Sequence, residues 1–396
     1  MNPLSLSNIK LTTALLALAF CATDAMAMEH KDPAASAAAA SMAVSSSSST
    51  VTLDEIKTIA PLTGSRGDKL NKLLYDELDP MPPELIAIIV EYDSYDVRGK
   101  YVKTLTGHNG SVPCLIQLAN SKLFASGSYD GTIKIWDIES GECVMTVTGH
   151  TKSVFCLTQL TDSKLFASGS LDHTIKIWDL AASDKTKLCK QTLTGHNGLV
   201  YWLTKLHDNN HIASGSWDDT IKIWDLVSGK CIHTLNSQTD YAYRLIQPTN
   251  QRYNDHIASA HNDTIKIWSL TTNSCVKTIT DQMNEVTCLI QLTDDLIATG
   301  SQDGTIKIWD LNTDKCVKII HGHTDRVNCL IQLSNGYIVS GSYDGTIKIW
   351  DLTIADEKEA CVAILGGNNN AVRCLAQLAN GYLAAGLQDG TITIWS

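Results

Sequence analysis

The chain has 396 residues, 44% of them hydrophobic and 18% charged, with a formal net charge of −11 and a pI near 5.5. That length holds one large domain or two to three average ones, and the composition is that of a globular protein. The acidic balance disfavours a general nucleic-acid binder, which needs a basic surface to release counterions, and it disfavours adsorption to anionic lipid.

Residues 1–27 read as a signal peptide-like leader. Lys10 ends a polar start, and residues 11–22 run without a charge but are too short to cross a bilayer with ease. Ala25-Met26-Ala27 then has the small-x-small form of a processing site. Export is expected, without stable membrane insertion; a cytoplasmic protein is the alternative. Residues 28–52, rich in Ala and Ser, form a flexible linker. Residues 53–97 are a short helical segment, with Leu70, Leu73, Leu74 and Leu78 on one side of a helix and Pro82-Pro83 suited to the start of another.

Residues 80–92 carry Pro82, Glu84, Leu85, Ile88, Ile89 and Tyr92. The stretch resembles the opening of an F-box, in which Pro-x-Glu-Leu leads into an apolar helix. The resemblance implies that Pro82, Leu85, Ile88 and Ile89 dock on a ubiquitin-ligase adaptor. Leader and F-box-like segment together imply a microbial effector exported into a eukaryotic host cell. The other reading of the segment is a helix packed on the domain that follows.

From residue 98 to 396 the chain repeats itself. Thr-Ile-x-Ile-Trp recurs with its tryptophan at 136, 178, 224, 268, 309, 350 and 395, at gaps of 42, 46, 44, 41, 41 and 45 residues. A near-constant period of this length is the signature of a repeat architecture. Each unit holds short β-rich runs with turns such as Asp130-Gly131 between them. Alternation puts Ile133 and Ile135 on one face and Lys134 and Trp136 on the other, so both faces carry bulk and both must be covered.

Gly-His opens units at residues 107, 149, 195 and 322, and Trp-Asp closes five of them, at 136, 178, 224, 309 and 350. This pattern resembles the WD-repeat family. It implies an all-β, seven-bladed propeller of four-stranded sheets. The seventh unit stops after its third strand, while residues 101–105 precede the first Gly-His where a fourth strand belongs. The N-terminal strand is therefore expected to complete the last blade and hide its edge.

Ser126, His108 and Asp130 form a set like that of a hydrolase, but it recurs in three other units, as Ser168 with His150, Ser214 with His196 and Ser340 with His323. Four copies favour a hydrogen-bonded chain that satisfies buried polar groups over catalysis. Other units depart: Gln282 with Thr299, Asn368 with Ala385, and Gln238 in the fourth, whose turn is one residue short. The fourth blade should be the least regular. The cysteines fall in two columns of the repeat and are expected to be buried free thiols. No spacing suggests a metal site, and no cofactor is expected.

The resemblance implies that partners contact the residue before the turn Asp and those flanking the start of the first strand. That selects Tyr129, Leu171, Trp217 and Tyr343 at turns, and Phe155, Tyr201, Tyr241, Tyr243, Arg326 and Arg373 at flanks. Aromatics and arginine dominate binding hot spots. Trp202 falls in the first-strand cysteine column and is expected in the core. The expected function is a non-enzymatic scaffold binding a protein or peptide that offers an apolar anchor and an acidic group. A ubiquitin-ligase substrate receptor is the alternative, and an enzyme built on a propeller is a third.

Overall fold

The computed structural model describes residues 99–396, except 120–121, 163, 185–186, 238–243, 250–251, 281–284, 294, 357–358 and 368. The leader, the linker and the F-box-like segment lie outside the described residues.

The described elements are 28 strands in seven antiparallel sheets of four. Blade 1 is built from Cys114–Gln117, Leu123–Gly127, Ile133–Asp137 and Cys143–Val147, in sequence order from inside to outside. Blades 2 to 6 repeat the order. Blade 7 is the exception the sequence called for: Val372–Gln377, Leu383–Leu387 and Ile392–Trp395 are completed by Tyr101–Leu105. That seam pairs Lys103 with Ile394, Thr104 with Thr393 and Leu105 with Ile392. Innermost strands pack side by side around the ring, and the seventh returns to the first.

The blades cohere through the two faces of the repeated strand. Ile133 and Ile135 of blade 1 pack with Val154, Leu157, Phe166 and Trp178 of blade 2 in one buried cluster. The seam does the same, joining Leu105, Ile392 and Ile394 to Val112, Phe124 and Trp136. Each tryptophan thus faces the isoleucines of the preceding blade. Contact is close where the sequence supplies glycine: a Cβ on Gly169 would stand 2.6 Å from both Cys156 Sγ and Val200 Cγ1 of the next blade.

All eleven described cysteines are free thiols. The inner column is buried, but the outer column is not: Cys143, Cys231 and Cys275 are exposed, and Cys189, Cys316 and Cys361 are half-buried. This corrects the expectation of burial for both columns. The outer cysteines lie on the outermost strands of blades 1 to 6, which have no further sheet over them. Each sits at a bulge opposite the closing tryptophan, as Cys143 does with Trp136. Its thiol turns back to donate to its own strand, Cys231 to His233 O at 3.2 Å for example.

Candidate functional site

The Ser-His-Asp sets are wired as a chain. In blade 1, His108 Nδ1 donates to Asp130 Oδ2 at 2.8 Å, Ser126 Oγ donates to His108 Nε2 at 2.7 Å, and Trp136 Nε1 donates to Ser126 Oγ at 2.8 Å. Blades 2, 3 and 6 reproduce this through Trp178, Trp224 and Trp350. The serine hydroxyl has no solvent exposure and both its neighbours are committed, so its geometry anchors tryptophan rather than presenting a nucleophile.

Electrostatics agree with a structural role. Burial pushes the Asp130 carboxyl up, but hydrogen bonds from Thr132, the Asn109 N–H and His108 outweigh it and bring the pKa down to about 2. Asp344 stands at about 2 for the same reasons, and Asp172 and Asp218 are depressed too. Burial lowers His108, His196 and His323 against the pull of their aspartates.

Blade 4 is irregular as expected, with an inner strand of only three residues, Arg244–Ile246. Yet its tryptophan is served: Trp268 Nε1 donates to Ser259 Oγ at 2.7 Å, and the imidazole beside that serine is His261, from the shortened turn. Sequence reasoning missed His261 because it sought the ring at residue 238. The available signal was a histidine two residues after the buried serine. In blade 7, where Ala385 replaces the serine, Trp395 Nε1 donates to Thr393 Oγ1 at 3.1 Å.

The described residues among those picked for partner contact lie at one mouth of the ring. The turn residue donates its backbone N–H to a flanking residue shortly ahead of the first strand: Tyr129 to Ser111 O at 2.9 Å, Leu171 to Ser153 O at 2.9 Å, Trp217 to Leu199 O at 3.0 Å and Tyr343 to Arg326 O at 2.8 Å. Turn and flank are therefore one surface in these four blades. Across it runs a continuous line of rings. Tyr129 and Phe155 are 4.8 Å apart, Phe155 and Tyr201 5.7 Å, and Tyr201 stacks on Trp217 at 6.5 Å. Trp217 is 48% exposed and Tyr343 41%. Arg373 joins the line from blade 7, donating to Tyr129 Oη at 2.8 Å and lying 5.9 Å from the Tyr343 ring. Burial raises the Tyr129 hydroxyl pKa against the opposing Arg373 charge. Leu171 is half-buried and contributes no ring. Tyr241 and Tyr243 lie outside the described residues.

One placement meets its expectation only in part. Trp202 pairs with Gly215 in the register that Cys156 keeps with Gly169 and packs against the core clusters on both sides of its blade, but it is half-buried rather than fully enclosed. It lines a cavity of about 70 Å³ at the mouth, with Tyr129, Phe155, Arg244, Arg326 and Arg373. An indole is too large for a place built for a thiol, so it extends into the channel. A larger hollow of about 320 Å³ sits by the closure seam, lined by Tyr101, Thr104, Gly366 and Trp395 among others, and holds none of the expected contact residues. Among the described residues no His, Cys, Asp or Glu group is arranged to hold a metal ion.

Seven four-stranded sheets in a closed ring, with buried polar chains inside and a ring-lined mouth, define a β-propeller of the kind that serves as a protein-interaction scaffold. The chain belongs to the WD-repeat family: the model of the WD domain, G-beta repeat, matches residues 99–137, 141–179, 187–225, 273–310, 314–351 and 359–396. The stretch without a match holds blade 4, which nevertheless forms a complete sheet. The crystal structure of the WD40 beta propeller domain of Doa1 superposes with a TM-score of 0.67 at 25% sequence identity, covering 76% of this chain and 97% of that one. Curated relatives match over shorter stretches. A ribosome biogenesis protein BOP1 homolog of Oryza sativa subsp. japonica is 51% identical over 37 residues, which is 9% of this chain and 6% of the relative. The pre-mRNA-splicing factor PRP46 of Kluyveromyces lactis is 28% identical over 101 residues, 24% of this chain and 22% of the relative.

Proposed function

We propose that this protein is a non-enzymatic scaffold that holds a protein or peptide across the mouth of its propeller, with the aromatic line as the anchor. The observation that carries the reading is the contiguity of Tyr129, Phe155, Tyr201 and Trp217 across three blades. Other exposed apolar side chains, such as Val144, Val276 and Val317, are spread over the outer strands of separate blades. Scattered exposure of that kind is ordinary, whereas a connected aromatic patch marks an interaction surface. The buried serines support the non-enzymatic half of the reading.

Replacing Trp217 and Phe155 with alanine tests it. A partner cross-linked to the mouth of the wild-type protein should bind the double variant more weakly, by about 2 kcal/mol or more if these are hot-spot residues. The double variant should still melt cooperatively, because Trp217 is 48% exposed and Phe155 only half-buried. Undiminished binding by a folded variant would refute the site. A narrower reading, a ubiquitin-ligase substrate receptor delivered by export, rests on the F-box-like residues 80–92 and the leader. It expects recovery of the cullin-ligase adaptor from a eukaryotic lysate, lost on Leu85→Asp. Recovery that survives the substitution would count against it.

A further inference from the structure

The seven innermost strands each place one residue opposite a small residue of the second strand: Cys114, Cys156, Trp202, Arg244, Cys288, Cys329 and Cys374. Five blades use a thiol and two do not. Arg244 takes the column in blade 4, where its partner is Ala260 instead of glycine. Its guanidinium lies 3.9 Å over the Trp202 ring of blade 3 and donates to Asn328 O of blade 6 at 3.0 Å, so it reaches across the channel. Burial raises all five thiols, and the Arg244 charge opposes that rise in every one of them, as a group near the ring axis would.

A guanidinium keeps its proton at any physiological pH, and burying it without a counter-charge is unfavourable. Here three of the chain's six arginines, Arg244, Arg326 and Arg373, line one cavity of about 70 Å³ together with Asn328, Pro113 and four aromatic rings, with no carboxylate among the described lining residues. The Nε atoms of Arg244 and Arg326 are buried and donate to nothing. One Nη of Arg244 is spent on Asn328 O and one of Arg373 on Tyr129 Oη. In a chain of net charge −11, a cation cluster with no acid partner among the described residues suits an acid from outside.

We infer that the cavity between Arg244 and Arg326 receives the carboxylate of an acidic residue on the bound peptide, whose apolar neighbour lies along Tyr129, Phe155, Tyr201 and Trp217. This rests on the scaffold reading above and specifies its ligand. A planar two-oxygen acceptor matches the free Nε edge of a guanidinium. The aromatic walls keep water from competing for the same donors. The feature belongs to this chain's own departures, Trp202 and Arg244, and not to the repeated pattern.

The test uses the full chain with 15N-labelled arginine, whose six side-chain Nε–H signals are few enough to assign. The probes are 3-phenylpropionate, its neutral amide, inorganic phosphate and sodium chloride at matched ionic strength. The inference expects 3-phenylpropionate to shift the Arg244 and Arg326 signals saturably, at about tenfold lower concentration than the amide, as a charge-assisted fork requires. Arg326→Gln should abolish the Arg244 response in a protein that still melts cooperatively. Arg244→Met should abolish the Arg326 response, and if that variant does not fold, Arg326→Gln decides alone. No shift, an equal shift with the amide or with chloride, or tighter binding of phosphate would each overturn the carboxylate assignment. The two readings fail separately: partner binding weakened by Trp217→Ala but indifferent to Arg326→Gln would keep the scaffold and sink the carboxylate.

Discussion

One hydroxyl in blade 1 serves two partners. Ser126 Oγ donates to His108 and accepts from the Trp136 indole, and none of the three is reached by solvent to any extent that would replace the lost bonds. Ser126→Ala should therefore leave an indole N–H and an imidazole nitrogen unpaired, at a loss of about 1–3 kcal/mol in urea unfolding. A variant as stable as the wild type would show that the chain of bonds is incidental. At this scale the sequence was most legible where it repeats, because a copied Ser, His, Asp and Trp can only mean a copied environment. It was least legible where a copy changes. His261 came from the wrong side of its serine, and Trp202, read by its column as core, projects into the channel because its volume exceeds the site. Arg244 carried the plainest signal, a charge in a column of thiols, and went unweighed because the chosen contact places, Tyr241 and Tyr243, stop one residue short of it.

A strand borrowed from the front of the domain holds the seventh blade together. Tyr101–Leu105 covers the edge of Ile392–Trp395, and the backbone pair Lys100 and Ser396 closes the end with bonds of 3.2 and 3.0 Å. Leu105 is 5% exposed and sits in the cluster that joins blade 7 to blade 1. Removing residues 100–106 would uncover a sheet edge and open the apolar seam at one stroke. Losing Leu105 from its cluster alone is worth about 2–5 kcal/mol. The truncated protein should melt at a clearly lower temperature by calorimetry; an unchanged transition would mean that closure rests elsewhere. Strands and closure were readable because alternation and period fix them. The exposure of the outer thiols was not, since a repeat shows which residues are equivalent but not how far each strand stands from the axis.

Across the whole molecule, the four aspartates of the buried chains and three of their histidines are shifted downward. Burial holds His108, His196 and His323 below the ordinary value of 6.5, so the unfolded chain takes up protons first as pH falls, and stability declines from about pH 6.5 downward. Asp130 and Asp344 have folded values of about 2 against an ordinary 3.8, and Asp172 and Asp218 lie low as well. Their contribution is full above the ordinary carboxyl value and is lost as pH falls from there through the folded values. Acidification also brings the net charge of −11 toward zero, which relieves self-repulsion, but that effect acts between surface charges and is largely screened at about 0.15 M salt. Urea midpoints measured at that ionic strength should be level above neutrality, drift down below about pH 6.5 and fall more steeply below about pH 4. The His108→Gln variant should be less stable at neutral pH and show a shallower first decline, because one of the titrating rings is gone. A midpoint that rises between pH 6.5 and 5 in the wild type would mean that these imidazoles are not held neutral by burial, and the same buried chains would then be poorer anchors for the tryptophans that join blade to blade.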